Sequence, residues 1–377
     1  MIHTTQHHWS PETGWSTPPG AAGAQLALVF GAREALTPEG PLAELGAALP
    51  GTELVGCSTA GEIHGTHVTD GGVVVTAVRF EHSSLAVVAE PSLSGEDSRE
   101  LGLRLAAKLD PGGLRHVFVL SDGTRLNGGR LAEGMASALP SGVAVTGGLA
   151  GDAARFEETR VIGGGATGAG RVVAVGLYGQ RLRVGFGSLG GWDSFGPVRL
   201  VTRSEGNVLY ELDGRSALAL YKEYLGDAAA GLPASALLFP LSITLTEGGA
   251  EVVRTILSVD EATQSMTFAG DVPRGAYARL MKANFDRLID GAVGAARSSY
   301  DALGKVSPEL AILISCVGRK LVLKQRIEEE VEGVRDVLGP GAMLAGFYSY
   351  GEISPLTPEA ACTLHNQTMT ITTLSEV

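Results

Sequence analysis

Short apolar runs, many of them β-branched and closed off by glycine, set the rhythm of this chain, with only a few stretches carrying the spacing of an amphipathic helix. Residues 26–30 read as a buried strand, 41–49 as a helix with proline in its first turn, and 53–56 as a second strand. The same succession returns at 117–120, 129–139 and 143–146, and again at 310–315, 321–338 and 343–345. Between these units, runs that predict antiparallel pairs lie at 72–80 with 85–90, 155–162 with 172–178, and 182–187 with 197–203. A helix over 215–225 leads into the Gly- and Ala-rich stretch 226–234, the expected boundary between two lobes. Beyond it, strands are expected near 236–245, 251–258 and 265–269, a long helix over 285–302, and β structure over 362–372. Residues 1–24, with His7, His8, Pro11, Pro18 and Pro19, carry no apolar period and read as an extended or mobile arm.

The three units end alike. Ala-Leu-Pro-Gly-Thr-Glu-Leu-Val-Gly from residue 48 lies over Ala-Leu-Pro-Ser-Gly-Val-Ala-Val-Thr-Gly from 138 and Val-Leu-Gly-Pro-Gly-Ala-Met-Leu-Ala-Gly from 337. The first and third continue in step, Gly56-Cys-Ser-Thr-Ala-Gly61-Glu62-Ile63 against Gly346-Phe-Tyr-Ser-Tyr-Gly351-Glu352-Ile353. The middle unit carries a shorter version that ends Gly151-Asp152. The expected fold is therefore mixed α/β: repeated strand–helix–strand units with antiparallel β segments between them, in two lobes carrying an internal pseudo-repeat. The expected division is an arm over 1–24, an N-terminal domain over 25–225 and a C-terminal domain over 226–377.

Composition narrows the partners. A chain of 377 residues can furnish a substantial core. Its net charge is −12 and its basic residues are scattered, which leaves no contiguous cationic surface for nucleic acid or anionic lipid. Glycine, at 53 residues, sits between apolar segments, so tight turns and close backbone approaches explain it better than disorder. Cys57, Cys316 and Cys362 form no paired motif and suit a reducing compartment. No apolar run reaches the roughly 18–20 residues a membrane span needs, and residues 1–24 lack the pattern of a secretion signal, so a cytoplasmic location is expected.

Each glycine-rich string follows the C-terminal end of a strand, where open α/β sheets place their ligands. Gly56 and Gly61, with their counterparts Gly346 and Gly351, would let backbone amides approach a small molecule. Ser58, Thr59 and Glu62, and in the third unit Tyr348, Ser349 and Glu352, would supply hydrogen bonds. The competing reading makes the glycines plain turns, the hydroxyls caps and Glu62 a solvated or paired carboxylate, and the residues alone leave both open. Arg319, at a helix start, would clamp a carboxylate with its planar fork or simply be solvated, while Cys316 reads as a small buried hydrophobe. His365 and Asn366 stand at the junction of two β-like runs, where the histidine either contacts a ligand, ligates heme iron or is a satisfied core residue; His64 is a second candidate for the iron.

Enzyme motifs fail on context. Residues 163–168 match GxGxxG, but the segment after them reads as a strand, so a hairpin turn is expected in place of a phosphate cradle. Ser58 lacks the following glycine of a nucleophile elbow, and no Walker, HExxH or paired-cysteine zinc pattern occurs. A catalytic reading rests on Cys57 as nucleophile.

Val55-Gly-Cys-Ser-Thr-Ala-Gly-Glu-Ile63, Ser315-Cys-Val-Gly-Arg-Lys320, Ala345-Gly-Phe-Tyr-Ser-Tyr-Gly-Glu-Ile353 and Leu364-His-Asn-Gln-Thr-Met-Thr-Ile371 resemble, in order, the signatures of the N- and C-terminal domains of the FIST family. The resemblance implies a bacterial-type sensory protein that binds a small ligand, an amino acid among the candidates, and acts through a separate histidine kinase, cyclic-dinucleotide enzyme or chemotaxis partner. It also implies an alternative, since one branch is similar to heme-binding nitric-oxide sensors. The residues it points to are Gly56, Cys57, Ser58, Thr59, Gly61, Glu62, Arg319, Tyr348, Ser349, Gly351, Glu352, His365 and Asn366.

Overall fold

Each repeated unit builds the middle of its own sheet. In the computed structural model, which describes residues 1–93, 96–244, 251–357 and 360–377, the units are the parallel pairs Leu26–Gly31 with Glu53–Ser58, Leu114–Ser121 with Ala144–Leu149, and Leu310–Cys316 with Met343–Ser349. A third strand returns antiparallel beside the first of each pair: Val73–Phe80, Arg171–Tyr178 and Met369–Glu376. The strand after that leaves for the next sheet, so Ser84–Pro91 edges the second unit and Leu182–Leu189 the third. The edge of the first unit is Ile2–Ser10, paired with Val73–Phe80.

The units are also laced together through hairpins. Glu62–His64 with His67–Thr69, which follow the first unit, pair onto the third; Gly351–Pro355 with Cys362–His365 pair from the third onto the second. Val161–Gly163 with Ala166–Gly168 close the ring from the second onto the first. All three sheets thus share one strand order, a pseudo-threefold arrangement. Phe30, Phe118, Leu120, Ile312, Ile314 and Phe347, drawn from the three sheets, meet in one buried cluster. Burial of each such side chain contributes about 1.5–3 kcal/mol. The matched glycines Gly56, Gly147 and Gly346 sit where any side chain would collide with the carbonyl oxygen of Val29, Val119 or Leu313 on the neighbouring parallel strand. The repeat is therefore a repeat of backbone packing as well as of letters.

A smaller lobe interrupts the third unit. Its sheet, running from Val252–Arg254 through Leu241–Thr244, Tyr277–Lys282, Asp193–Glu205, Val208–Leu212 and Ser265–Phe268 to Ile256–Asp260, has its own core with the helix Ala217–Leu225. The chain enters it after Leu182–Leu189 and leaves it into the helix Phe285–Ala302. Strand pairing runs across a division at residue 225: the lobe takes strands from both sides of it, and so does the body.

Several expectations need correcting. Residues 1–24 are no arm, since Ile2–Ser10 is a full edge strand and the Met1 ammonium bonds Glu376 at 2.8 Å. Five of the six β runs are strands, whereas of 155–162 only the end is, in Val161–Gly163; the members of each pair do not pair with each other, because the chain changes sheet between them. The helix expected over 321–338 is two, Val317–Leu323 and Ile327–Leu338, broken at Lys324 with φ +52°. Residues 234–238 form a 3-10 turn before the strand Leu241–Thr244, and Leu245 of that expected strand lies outside the described residues. The expected strand over 251–258 divides into Val252–Arg254 and Ile256–Asp260. The GxGxxG match is a hairpin, with φ +59° and +74° at Gly164 and Gly165.

Candidate functional site

The loops that follow the second strand of each unit interlock at one end of the body. Ala60 donates its amide to Tyr348 O and Tyr348 to Gly61 O, both at 2.8 Å, and Gly151 donates to Ser58 O at 2.8 Å. Tyr350 donates to Leu149 O at 3.3 Å, so each loop is bonded to both of the others. In the first and third loops a hydroxyl reaches three residues forward to a carboxyl: Thr59 to Glu62 and Ser349 to Glu352, each at 2.6 Å. The middle loop has Asp152 in the corresponding place, paired with Arg33 and Arg155.

The smaller lobe faces this end, and a cleft runs between them. At its body side lies a polar chamber of about 370 Å³, lined by Thr59, Gly61, Glu62, Asp70, Glu34, Arg155 and Lys320, with Val317 and Leu321, all of the body. An adjoining apolar chamber of about 400 Å³ is closed by Phe156, Tyr350, Val317 and Leu321 from the body and by Leu237, Thr255, Ile256 and Leu257 from the lobe. A third recess, about 290 Å³, extends past Tyr350 to the loop 123–128 and to Asn207. Volumes of this size suit small molecules, whose sites run to roughly 300–1,000 Å³.

Electrostatics in the polar chamber centre on Glu62 and Lys320. Burial pushes the Glu62 carboxyl up to about 7, against the opposing hydrogen bond from Thr59, with nearby Asp70 raising it and Lys320 lowering it. The Lys320 ammonium donates to Ala60 O at 2.8 Å, pairs with Asp70 and stands over the Tyr348 ring. It also crowds Gly61, whose φ of +138° and lack of a side chain make room for it. Glu352 is more deeply set. It accepts from Ser349 and from the hydroxyl and amide of Thr368, and burial pushes its carboxyl up to about 8.

Of the residues singled out from the sequence, Thr59, Gly61 and Glu62 line the cleft. Gly56, Cys57 and Ser58 lie beneath it, Ser58 accepting the Arg160 amide at 2.8 Å. Tyr348, Ser349, Gly351 and Glu352 form the buried underside of the third loop. Arg319 requires correction as a ligand clamp: it is fully buried, and its guanidinium is taken up by Glu330, Gly190 O and Leu288 O. Cys57 requires correction as a nucleophile, because it lies in the core with its thiol pushed up by burial and away from thiolate. Asn366 is fully buried with no hydrogen-bond partner for its side-chain amide among the described residues, and it lines none of the three chambers.

The residues do not fit heme. The His365 ring is 1% exposed, its Nε2 is 2.8 Å from Ser354 O, and burial lowers it to about 4. His64 sits beside His8 on the outer hairpin. Neither imidazole lines the cleft chambers, and no cluster of metal-ligating side chains occurs among the described residues.

Sequence reasoning missed Lys320, Asp70, Arg155, Phe156, Tyr350 and Thr255 as cleft residues. For Lys320 a signal existed: Val317, Lys320 and Leu321 share one helical face, and Arg319 points the other way. Nothing in the sequence joined Thr255 to the body loops, because the lobe meets them only through folding.

Fold and site define an α/β body of three pseudo-repeats whose converging loops face an inserted β lobe across a small-molecule cleft. The FIST N domain family model matches residues 25–215 and the FIST C domain model residues 217–355, and the chain belongs to the FIST family. FIST domains are sensory domains of signal transduction that take small ligands. No curated protein matches the chain significantly. Among solved structures it is similar to a cyanuric acid hydrolase from A. caulinodans, at 10% identity and a TM-score of 0.36 over 100% of this chain and 99% of that one. A further cyanuric acid hydrolase structure gives 11% identity and a TM-score of 0.32 over the whole of both chains. Likeness at that level carries nothing about chemistry. No helix among the described residues is long and apolar enough to cross a membrane.

Proposed function

We propose that the protein is a receptor for a small zwitterion of the amino-acid type, held in the polar chamber and sensed through closure of the smaller lobe. The observation that carries this reading is the placement of a buried carboxyl, Glu62, and an ammonium, Lys320, in one cavity of about 370 Å³ on the interlocked loops. The ligand carboxylate takes the place of Asp70 on Lys320; Asp70 is 68% exposed, so releasing it to water costs little. The ligand ammonium faces Glu62. The chain crosses between body and lobe near Gly190 and near Ala283, and a ligand that reaches from the polar chamber into the adjoining apolar one touches both sides and favours the closed arrangement by its differential affinity.

The signal passes to a separate partner, of the histidine kinase, cyclic-dinucleotide enzyme or chemotaxis kind. Heme sensing has no support from the two histidines, and Cys57 gives catalysis none. Thermal denaturation against a panel of amino acids tests the proposal. A rise of several degrees with at least one of them, abolished by Lys320→Met, is expected. Unshifted melting across the panel in well-folded protein would overturn it.

A further inference from the structure

We infer that the ligand carries a large aromatic side chain with a hydrogen-bonding edge, seated in the apolar chamber with its polar atom on the Thr255 hydroxyl. The inference rests on the proposal that the ligand's charged end occupies the polar chamber, and it adds the chemical class of the rest of the molecule.

The two chambers adjoin through shared walls, Ala154, Val317 and Leu321, so a molecule anchored by Lys320 and Glu62 extends directly into the second. The second chamber is apolar, and three of the protein's exposed large hydrophobic residues gather there: Phe156 at 43%, Leu257 at 42% and Leu321 at 37%. Open apolar surface concentrated in a cleft marks a binding site more clearly than the same residues scattered singly. Phe156 is held in place for this. It stacks on Tyr350 with ring centroids 4.2 Å apart, donates its amide to the Tyr350 hydroxyl at 3.0 Å, and keeps an unfavourable φ of +58°. A flat ring seated against this pair extends the stack.

Thr255 supplies the second, independent observation. It is 6% exposed, its hydroxyl has no hydrogen-bond partner among the described residues, and it stands in the wall of this chamber. A buried hydroxyl without a partner is costly, and a ligand atom that satisfies it gains accordingly. A phenol or an indole N–H at the far edge of a ring meets that need, whereas a plain phenyl or alkyl group does not.

Isothermal titration of the intact protein with alanine, leucine, phenylalanine, tyrosine and tryptophan reads the preference directly. Phenylalanine is expected to bind at least roughly tenfold more tightly than alanine, and tyrosine or tryptophan more tightly again. Thr255→Val removes the advantage of tyrosine and tryptophan over phenylalanine and leaves phenylalanine unchanged; Phe156→Ala weakens all three aromatics and spares alanine. Equal affinity for alanine and phenylalanine, with both lost in Lys320→Met, overturns the inference and leaves the zwitterion receptor standing. Binding of none of the five overturns both.

Discussion

Glu62 and Glu352 occupy matched positions in two of the three loops, and in both the folded protein shifts the carboxyl toward its protonated form. Their carboxyls lie at about 7 and about 8, chiefly because burial disfavours the charge. A carboxyl raised on folding contributes stability that is fully present below its unfolded value, near pH 4.5, and is lost as the pH rises through its folded one. Glu352→Gln keeps the shape and cannot ionise. Relative to the native protein, its stability is therefore expected to improve between pH 5 and pH 9 by about 1–4 kcal/mol, as read from urea midpoints at each pH. A difference that does not change with pH would show that Glu352 is not held protonated. Both glutamates were legible from the echoing Gly-x-x-x-x-Gly-Glu strings, but their depth was not, since sequence places a carboxyl on a loop without saying what covers the loop. The adjacent pair Arg319 and Lys320 carries the same lesson. The planar fork favoured Arg319 as an anion clamp, whereas helix phase turns it to the core and hands the cleft to Lys320.

At the scale of elements, the short helix Val317–Leu323 is the piece that touches everything. One face, Val317, Lys320 and Leu321, lines both main chambers. The other face sends Arg319 to Glu330 on Ile327–Leu338, and to the carbonyls of Gly190, where the chain leaves for the smaller lobe, and Leu288, where it has returned. Glu330 in turn accepts from Tyr348 at 2.7 Å and from Ser315 at 3.0 Å. Removing one partner of such a fully buried pair strands the other's charge, so Arg319→Met is expected to cost about 3–5 kcal/mol in denaturant titrations, with part of that recovered in the double variant with Glu330→Leu. A loss below about 1 kcal/mol would mean that the network does not fasten the segments at Gly190 and Leu288 to this helix. Many elements themselves were readable: the boundaries of 41–49, 129–139 and 285–302 fall within a residue of the helices found. The strand Ile2–Ser10 escaped notice because an edge strand of mostly polar residues leaves no apolar run. Partner choice escaped for a different reason, since runs adjacent in sequence look like hairpins whether or not the chain changes sheets between them.

For the whole molecule, three sheets of one strand order explain why the repeated strings converge: each loop follows the same strand of its unit, and the hairpins beyond them bind each unit to the next. The repeat was visible in the letters, but not its closure into a ring, which depends on pairings such as Glu62–His64 with Met343–Ser349 across more than half the chain. The smaller lobe, inserted into the third unit, supplies Leu237, Thr255 and Leu257 to a cleft whose charged groups, among the described residues, come from the body. Recognition and closure are thereby one event, because a ligand spanning the chambers touches both parts. Hydrogen exchange measured with and without saturating tyrosine tests that claim most directly. The expected result is joint protection of 59–62 and 317–321 in the body and of 254–257 in the lobe. Protection confined to one side of the cleft, or lying wholly outside it, would contradict the account.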